Sequence, residues 1–153
     1  MSQDFFEYHI ETMKEKYPTF RKYQNYHIFT LLCIKYFFYS ESGIAFDQDV
    51  IEEFLTDGAN DGGIDAIFND PTSEGNDLII VQSKFYENTA LGTDNVAGEL
   101  YKINETLKKL QSNKISEFND KFYIRFLIIR MNTILSNILK YRKTLILPRI
   151  YHD

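Results

Sequence analysis

Cysteine is almost missing from this chain. Cys33 stands alone, which excludes an intrachain disulfide and a cysteine-built zinc site. It lies inside the apolar run 29–38, where a free thiol reads as a small buried hydrophobe. Tryptophan is absent and proline occurs three times, so a proline-rich or collagen-like chain is excluded as well. The most apolar early stretch, 28–38, is broken by Lys35 and falls short of the ~20 residues that a bilayer crossing needs. Residues 1–15 are polar and acidic, and no basic segment followed by an apolar one marks a signal peptide. A soluble cytoplasmic protein is the expectation. What the chain does have is 44% hydrophobic and 25% charged residues, with 11 Tyr and 13 Phe among 153. That is enough for one packed domain with a sizeable core.

The net charge of −5 hides an asymmetry. Residues 1–120 carry 10 Lys and Arg against 21 Asp and Glu, a balance of −11; residues 121–153 carry seven against Asp153 alone, a balance of +6. Phosphate contacts supply most nonspecific affinity for nucleic acid, so an acidic body argues against simple coating of nucleic acid. It is compatible with a nuclease whose carboxylates are neutralised by a metal ion.

Along the chain, residues 4–15 alternate charged and apolar positions at helical spacing and predict a short helix. Beyond Pro18, residues 23–39 are apolar on nearly every face, the pattern of a buried core helix. Residues 47–55 read as a short helix with Asp47 or Asp49 at its acidic start. The run Thr56-Asp57-Gly58-Ala59-Asn60-Asp61-Gly62-Gly63 is a loop by its turn residues. Strands are predicted at 64–68 and 77–85, with a turn over 69–76. Residues 92–111 return to helical spacing, with Val96, Leu100, Ile103, Leu107 and Leu110 on one stripe. Residues 121–130 are rich in Phe, Ile and Leu and predict a further strand. The whole reads as an α/β or α+β fold, a mixed sheet flanked by helices, with one folded domain over 1–130 and a basic, apolar tail over 131–153.

The chemistry gathers at Asp65, Gln82 and Lys84. Residues two apart on a strand share a face, so Gln82 and Lys84 point the same way. A turn centred near Ser73 and Glu74 sets Asp65 opposite about residue 82, and the apolar run 78–81 turns polar there. Hydrolysis of a phosphodiester calls for a hard divalent cation, Mg²⁺ or Mn²⁺, on a few oxygen ligands. Asp65 would be the main ligand, joined by the Gln82 amide oxygen and the Ser83 carbonyl. Lys84 would orient water and offset charge in the transition state.

The string Asp61-Gly62-Gly63-Ile64-Asp65, followed after sixteen residues by Gln82-Ser83-Lys84, resembles the Mrr-type branch of the PD-(D/E)xK nucleases. The longer text from Thr56 through Ile67, with Ile80 to Phe85, is similar to the abortive-infection phage-resistance family. The resemblance spans roughly residues 20–130. It implies a restriction-endonuclease-like αβββαβ core, Mg²⁺-dependent cleavage of DNA or RNA, and a role in bacterial defence against phage. It also implies one more acidic ligand before the first strand. Glu52, Glu53 and Asp57 are the candidates, and the usual place of that ligand on the preceding helix favours Glu53. Ile64 stands where many members have proline, and members of the phage-resistance family are several times longer than this chain.

Other features carry plainer readings. His9, His27 and His152 lack metal-ligand spacing and read as structural. Lys102, Lys108 and Lys109 on the 92–111 helix read as a solvated face that is also able to track a phosphate backbone. The competing function is a noncatalytic domain of the same fold that binds nucleic acid or a partner protein. A homodimer, or a partner domain supplied in trans, is compatible with either.

Overall fold

The computed structural model describes residues 3–40, 42–72, 77–85 and 93–146, with side chains described at 5–40, 42–72, 77–85 and 96–133. The order is helix α1 (Gln3–Lys16), a 3₁₀ turn (Pro18–Lys22), helix α2 (Asn25–Ile34) running into a π turn (Lys35–Tyr39), and helix α3 (Gln48–Glu52). Strands β1 (Ala66–Asn69) and β2 (Leu78–Val81) follow, then helix α4 (Thr93–Gln111), a 3₁₀ turn (Ile115–Glu117) and helix α5 (Asp120–Ile146). Mixed α+β character therefore holds. The sheet is smaller than expected, a two-stranded antiparallel ribbon to which Leu55 adds a single bridge at Ala66.

The expected strand over 121–130 is instead the start of α5. Two local signals explain the correction. Asn119 caps the helix, its Oδ1 accepting from the Phe122 N–H at 2.9 Å, while its carbonyl accepts from Tyr123 at 2.9 Å. Phe122, Phe126 and Ile129 then recur at spacings of four and three, and all three pack into the interior. The β-branched and aromatic content suggested a strand, but the 3.6-residue period prevails. A mixed sheet with a later strand is accordingly not formed among the described residues. The helix also runs unbroken across residues 130 and 131, where composition alone divides core from tail.

The ribbon lies between two apolar clusters. Its register is Ala66↔Val81, Ile67↔Ile80, Phe68↔Ile79 and Asn69↔Leu78. Ala66, Phe68, Ile79 and Val81 face a cluster built from α1, α2 and α3, including Ile10, Phe20, Ile28, Leu31, Ile34, Ile51 and Phe54. Phe54 stacks on Phe68 with ring centroids 4.9 Å apart. On the other face, Ile67 and Ile80 join Ile64 and, from the C-terminal part, Ile115, Phe118, Phe122 and Ile129. Burial of one such side chain is worth ~1.5–3 kcal/mol, so each cluster contributes substantially.

Helix α4 packs over part of its expected stripe. Ile103 and Leu110 reach the second cluster, while Val96, Leu100 and Leu107 stay exposed. Among the described residues no helix is long and apolar enough to cross a membrane.

Candidate active site

The loop between α3 and β1 is held from three sides. Thr56 donates its hydroxyl to the Ile64 carbonyl at 2.7 Å, and its own N–H donates to the Asp65 carbonyl at 2.9 Å. Thr106 of α4 donates to the Gly62 carbonyl at 2.6 Å. Asn119, at the head of α5, donates Nδ2 to the Thr56 carbonyl at 3.0 Å. Within the loop, Asp61 accepts from the N–H groups of Gly63 at 2.7 Å and Gly58 at 3.1 Å. Positive φ at Asn60, Gly62 and Gly63 lets the chain fold back so tightly.

Asp65 and Gln82 each adjoin the last pair of the ribbon, Ala66↔Val81. The Asp65 N–H donates to the Val81 carbonyl at 2.9 Å, so Asp65 and Ala66 both lie against Val81 and the regular register ends there. Residues 73–76 at the turn itself lie outside the described residues. Asp65 Oδ2 accepts from the Ser83 N–H at 2.6 Å and from the Ser83 hydroxyl at 3.2 Å. The Ser83 hydroxyl in turn is hydrogen-bonded to Thr30 of α2 at 2.6 Å. Burial pushes the Asp65 carboxyl up; Ser83 and the Lys84 charge pull it back, Asp57 adds to the rise, and it settles above the ordinary carboxylate value.

One carboxylate oxygen each from Asp57, Asp61 and Asp65 lies within 4.8 Å of the others. Among the three acidic candidates from the sequence, Asp57 is therefore the one brought to Asp65. Glu53 is not: it is largely exposed and pairs with Arg125 at 3.3 Å. Glu52 is taken by Lys22 at 2.6 Å, Thr19 at 2.8 Å and Tyr23 at 3.0 Å. Both glutamates sit at the end of α3, facing the 3₁₀ turn and α5 rather than the ribbon end. Asp57 is held by His27 of α2, whose Nε2 lies 2.8 Å from Oδ2.

Gln82 and Lys84 converge, as expected, but on a residue the sequence reading does not single out. Gln82 Nε2 donates to Glu99 Oε2, while Lys84 and Lys102 approach Glu99 Oε1 at 3.7 and 3.0 Å. Burial pushes the Glu99 carboxyl up, but bonds from Lys102 and Gln82 and the Lys84 charge outweigh it, holding it below its ordinary value. Lys84, Glu99, Lys102 and Lys109 line one cleft of about 490 Å³ with Asp61 and Gly63. Lys108 is turned to Glu105 at 2.7 Å and lies outside that lining; Lys109 pairs with Glu117 at 2.9 Å.

No family model, curated protein or solved structure matches the chain. The chemistry therefore rests on the residues themselves, and they fit a hard divalent cation. Three carboxylates so close repel one another unless a positive charge lies among them. Next to the last ribbon pair, the Gln82 Oε1 atom is buried and has no hydrogen-bond partner among the described residues. A buried amide oxygen left bare is costly, and an oxygen-seeking cation would satisfy it. His27 and Thr30, three apart on α2, face the site together. Their apolar surroundings in sequence concealed this; a polar residue every turn on an otherwise apolar helix was the available signal.

Proposed function

We propose that the chain is a divalent-metal-dependent endonuclease that hydrolyses phosphodiester bonds of nucleic acid, DNA ahead of RNA, in bacterial defence against phage. The observation that carries the reading is the gathering of Asp57, Asp61 and Asp65 at the ribbon end, within reach of the Lys84 charge and with Gln82 adjoining the last pair. Asp57, Asp61, Asp65 and the bare Gln82 oxygen would hold Mg²⁺ or Mn²⁺, which when bound polarises the phosphate and acidifies a water molecule. Ser83 and His27 hold the Asp65 and Asp57 carboxylates in fixed orientations. Lys84 supplies positive charge where the phosphorane accumulates negative charge. Lys102 and Lys109, in the same cleft, suit flanking phosphates. A noncatalytic nucleic-acid-binding domain is the second reading. It is favoured by the Lys84–Glu99 pair, which already engages the cation that catalysis requires.

The test is cleavage of plasmid DNA and of RNA with Mg²⁺ or Mn²⁺ by wild type, Asp65→Ala and Lys84→Ala. Metal-dependent cutting is expected in the wild type, with losses of roughly 10²-fold or more in both variants. A wild type that binds DNA and cuts neither substrate points to the second reading. Variants that cut as fast as wild type overturn the assignment of the site.

A further inference from the structure

We propose that Glu99 is a positioning residue for the metal site: it sets which end of the Gln82 amide faces the cation. The inference rests on the metal-site reading above. An amide side chain has a donor end and an acceptor end, and a carboxylate only accepts. With Nε2 committed to Glu99 Oε2, the Gln82 oxygen is turned away from Glu99, and it is this oxygen that is buried without a partner. The flipped amide would set its oxygen against the Glu99 carboxylate, oxygen facing oxygen with no proton between them. Glu99 thus decides the amide's orientation before any ion arrives.

Glu99 is itself well placed for the task. Its side chain is 22% exposed, and Lys102 and Lys84 flank its other oxygen at 3.0 and 3.7 Å. It rides on α4, which is docked to the loop by the bond from Thr106 to Gly62. Gly62 has no room for a side chain at that contact: a Cβ there would lie 2.5 Å from Thr106 Oγ1. The distance between α4 and the ribbon end is thereby set, and with it the reach from Glu99 to Gln82. The sequence separation of 17 residues hides the pair, because strand and helix spacing rules act only within an element.

The experiment measures Mn²⁺ affinity of the full chain by titration calorimetry, for wild type, Glu99→Ala, Glu99→Gln, Gln82→Ala and the double variant Gln82→Ala/Glu99→Ala. Loss of a partner that orients a ligand costs about 10- to 100-fold in metal affinity, and Glu99→Ala is expected in that range. Glu99→Gln retains an oxygen for Nε2 and should stay within about threefold of wild type. The double variant should bind no more weakly than Gln82→Ala, because Glu99 acts through Gln82. Unchanged affinity in Glu99→Ala overturns the proposal, as does a Glu99→Gln as weak as Glu99→Ala. Additive losses in the double variant overturn it too, since Glu99 would then act on the ion independently. A wild type that binds no Mn²⁺ overturns both this inference and the metal-site reading. A wild type that binds Mn²⁺ yet cuts no nucleic acid, with the affinity pattern above intact, sinks the nuclease reading alone and supports Glu99's role.

Discussion

Gly62 and Gly43 share a φ of +69°, yet they stand in different surroundings. A Cβ on Gly62 would meet Thr106 Oγ1 at 2.5 Å and Phe118 Cε1 at 2.6 Å; one on Gly43 would meet nothing within 4 Å. Left-handed backbone costs a side-chain-bearing residue ~1–2 kcal/mol, and crowding a packed site adds ~1–3 kcal/mol. Gly62→Ala should therefore destabilise by about 2–5 kcal/mol, against about 1–2 kcal/mol for Gly43→Ala, in urea unfolding monitored by circular dichroism. Equal losses would mean that the close packing of α4 on the loop is not kept in solution. At this scale the sequence was informative about Gln82 and Lys84, which turn the same way, both to Glu99. It was silent on Glu99, His27 and Thr30, whose partners lie on other elements. It also set Glu53 ahead of Asp57, since nothing local shows that Arg125, 72 residues later, draws Glu53 away.

Helix α5 begins with a residue that has two tasks. Asn119 caps the helix through Oδ1 and ties the site loop through Nδ2. Asn119→Ala removes both and should cost about 1–3 kcal/mol. Asn119→Asp keeps the cap, loses the donor to Thr56, and should cost about 1 kcal/mol less than the alanine variant. Thermal melts of the two variants check this, and an aspartate variant as damaged as the alanine one would assign the whole effect to the loop tie. The hairpin and the first three helices were legible at this scale because turn residues and all-round hydrophobicity are strong local signals. The segment 121–130 misled because Ile, Phe and Tyr favour strands on average, while the cap and the period of Phe122, Phe126 and Ile129 specify a helix.

In the molecule as a whole, Glu52 binds the N-terminal segment to α3. Burial pushes its carboxyl up, but hydrogen bonds from Lys22, Thr19 and Tyr23 prevail and hold it below its ordinary value. A depressed carboxyl stabilises the fold at pH values above its ordinary range, and that share fades as pH falls through the lowered value. Wild type should exceed Glu52→Gln in stability by on the order of 1 kcal/mol at neutral pH, with the gap closing below about pH 4. A gap that is constant from pH 7 to pH 3 would deny Glu52 this part. The fold class was within reach of the sequence; the size of the sheet was not, because strand pairing depends on contacts between distant segments.

The ribbon that separates the two apolar clusters has a mechanical consequence. His27 and Thr30 grip the site from the side of the first cluster, and Glu99 and Thr106 grip it from the side of the second. The ribbon end is thus a rivet through two plates. Sliding of one plate against the other would strain that rivet, and an ion bound there would resist the strain from both sides at once.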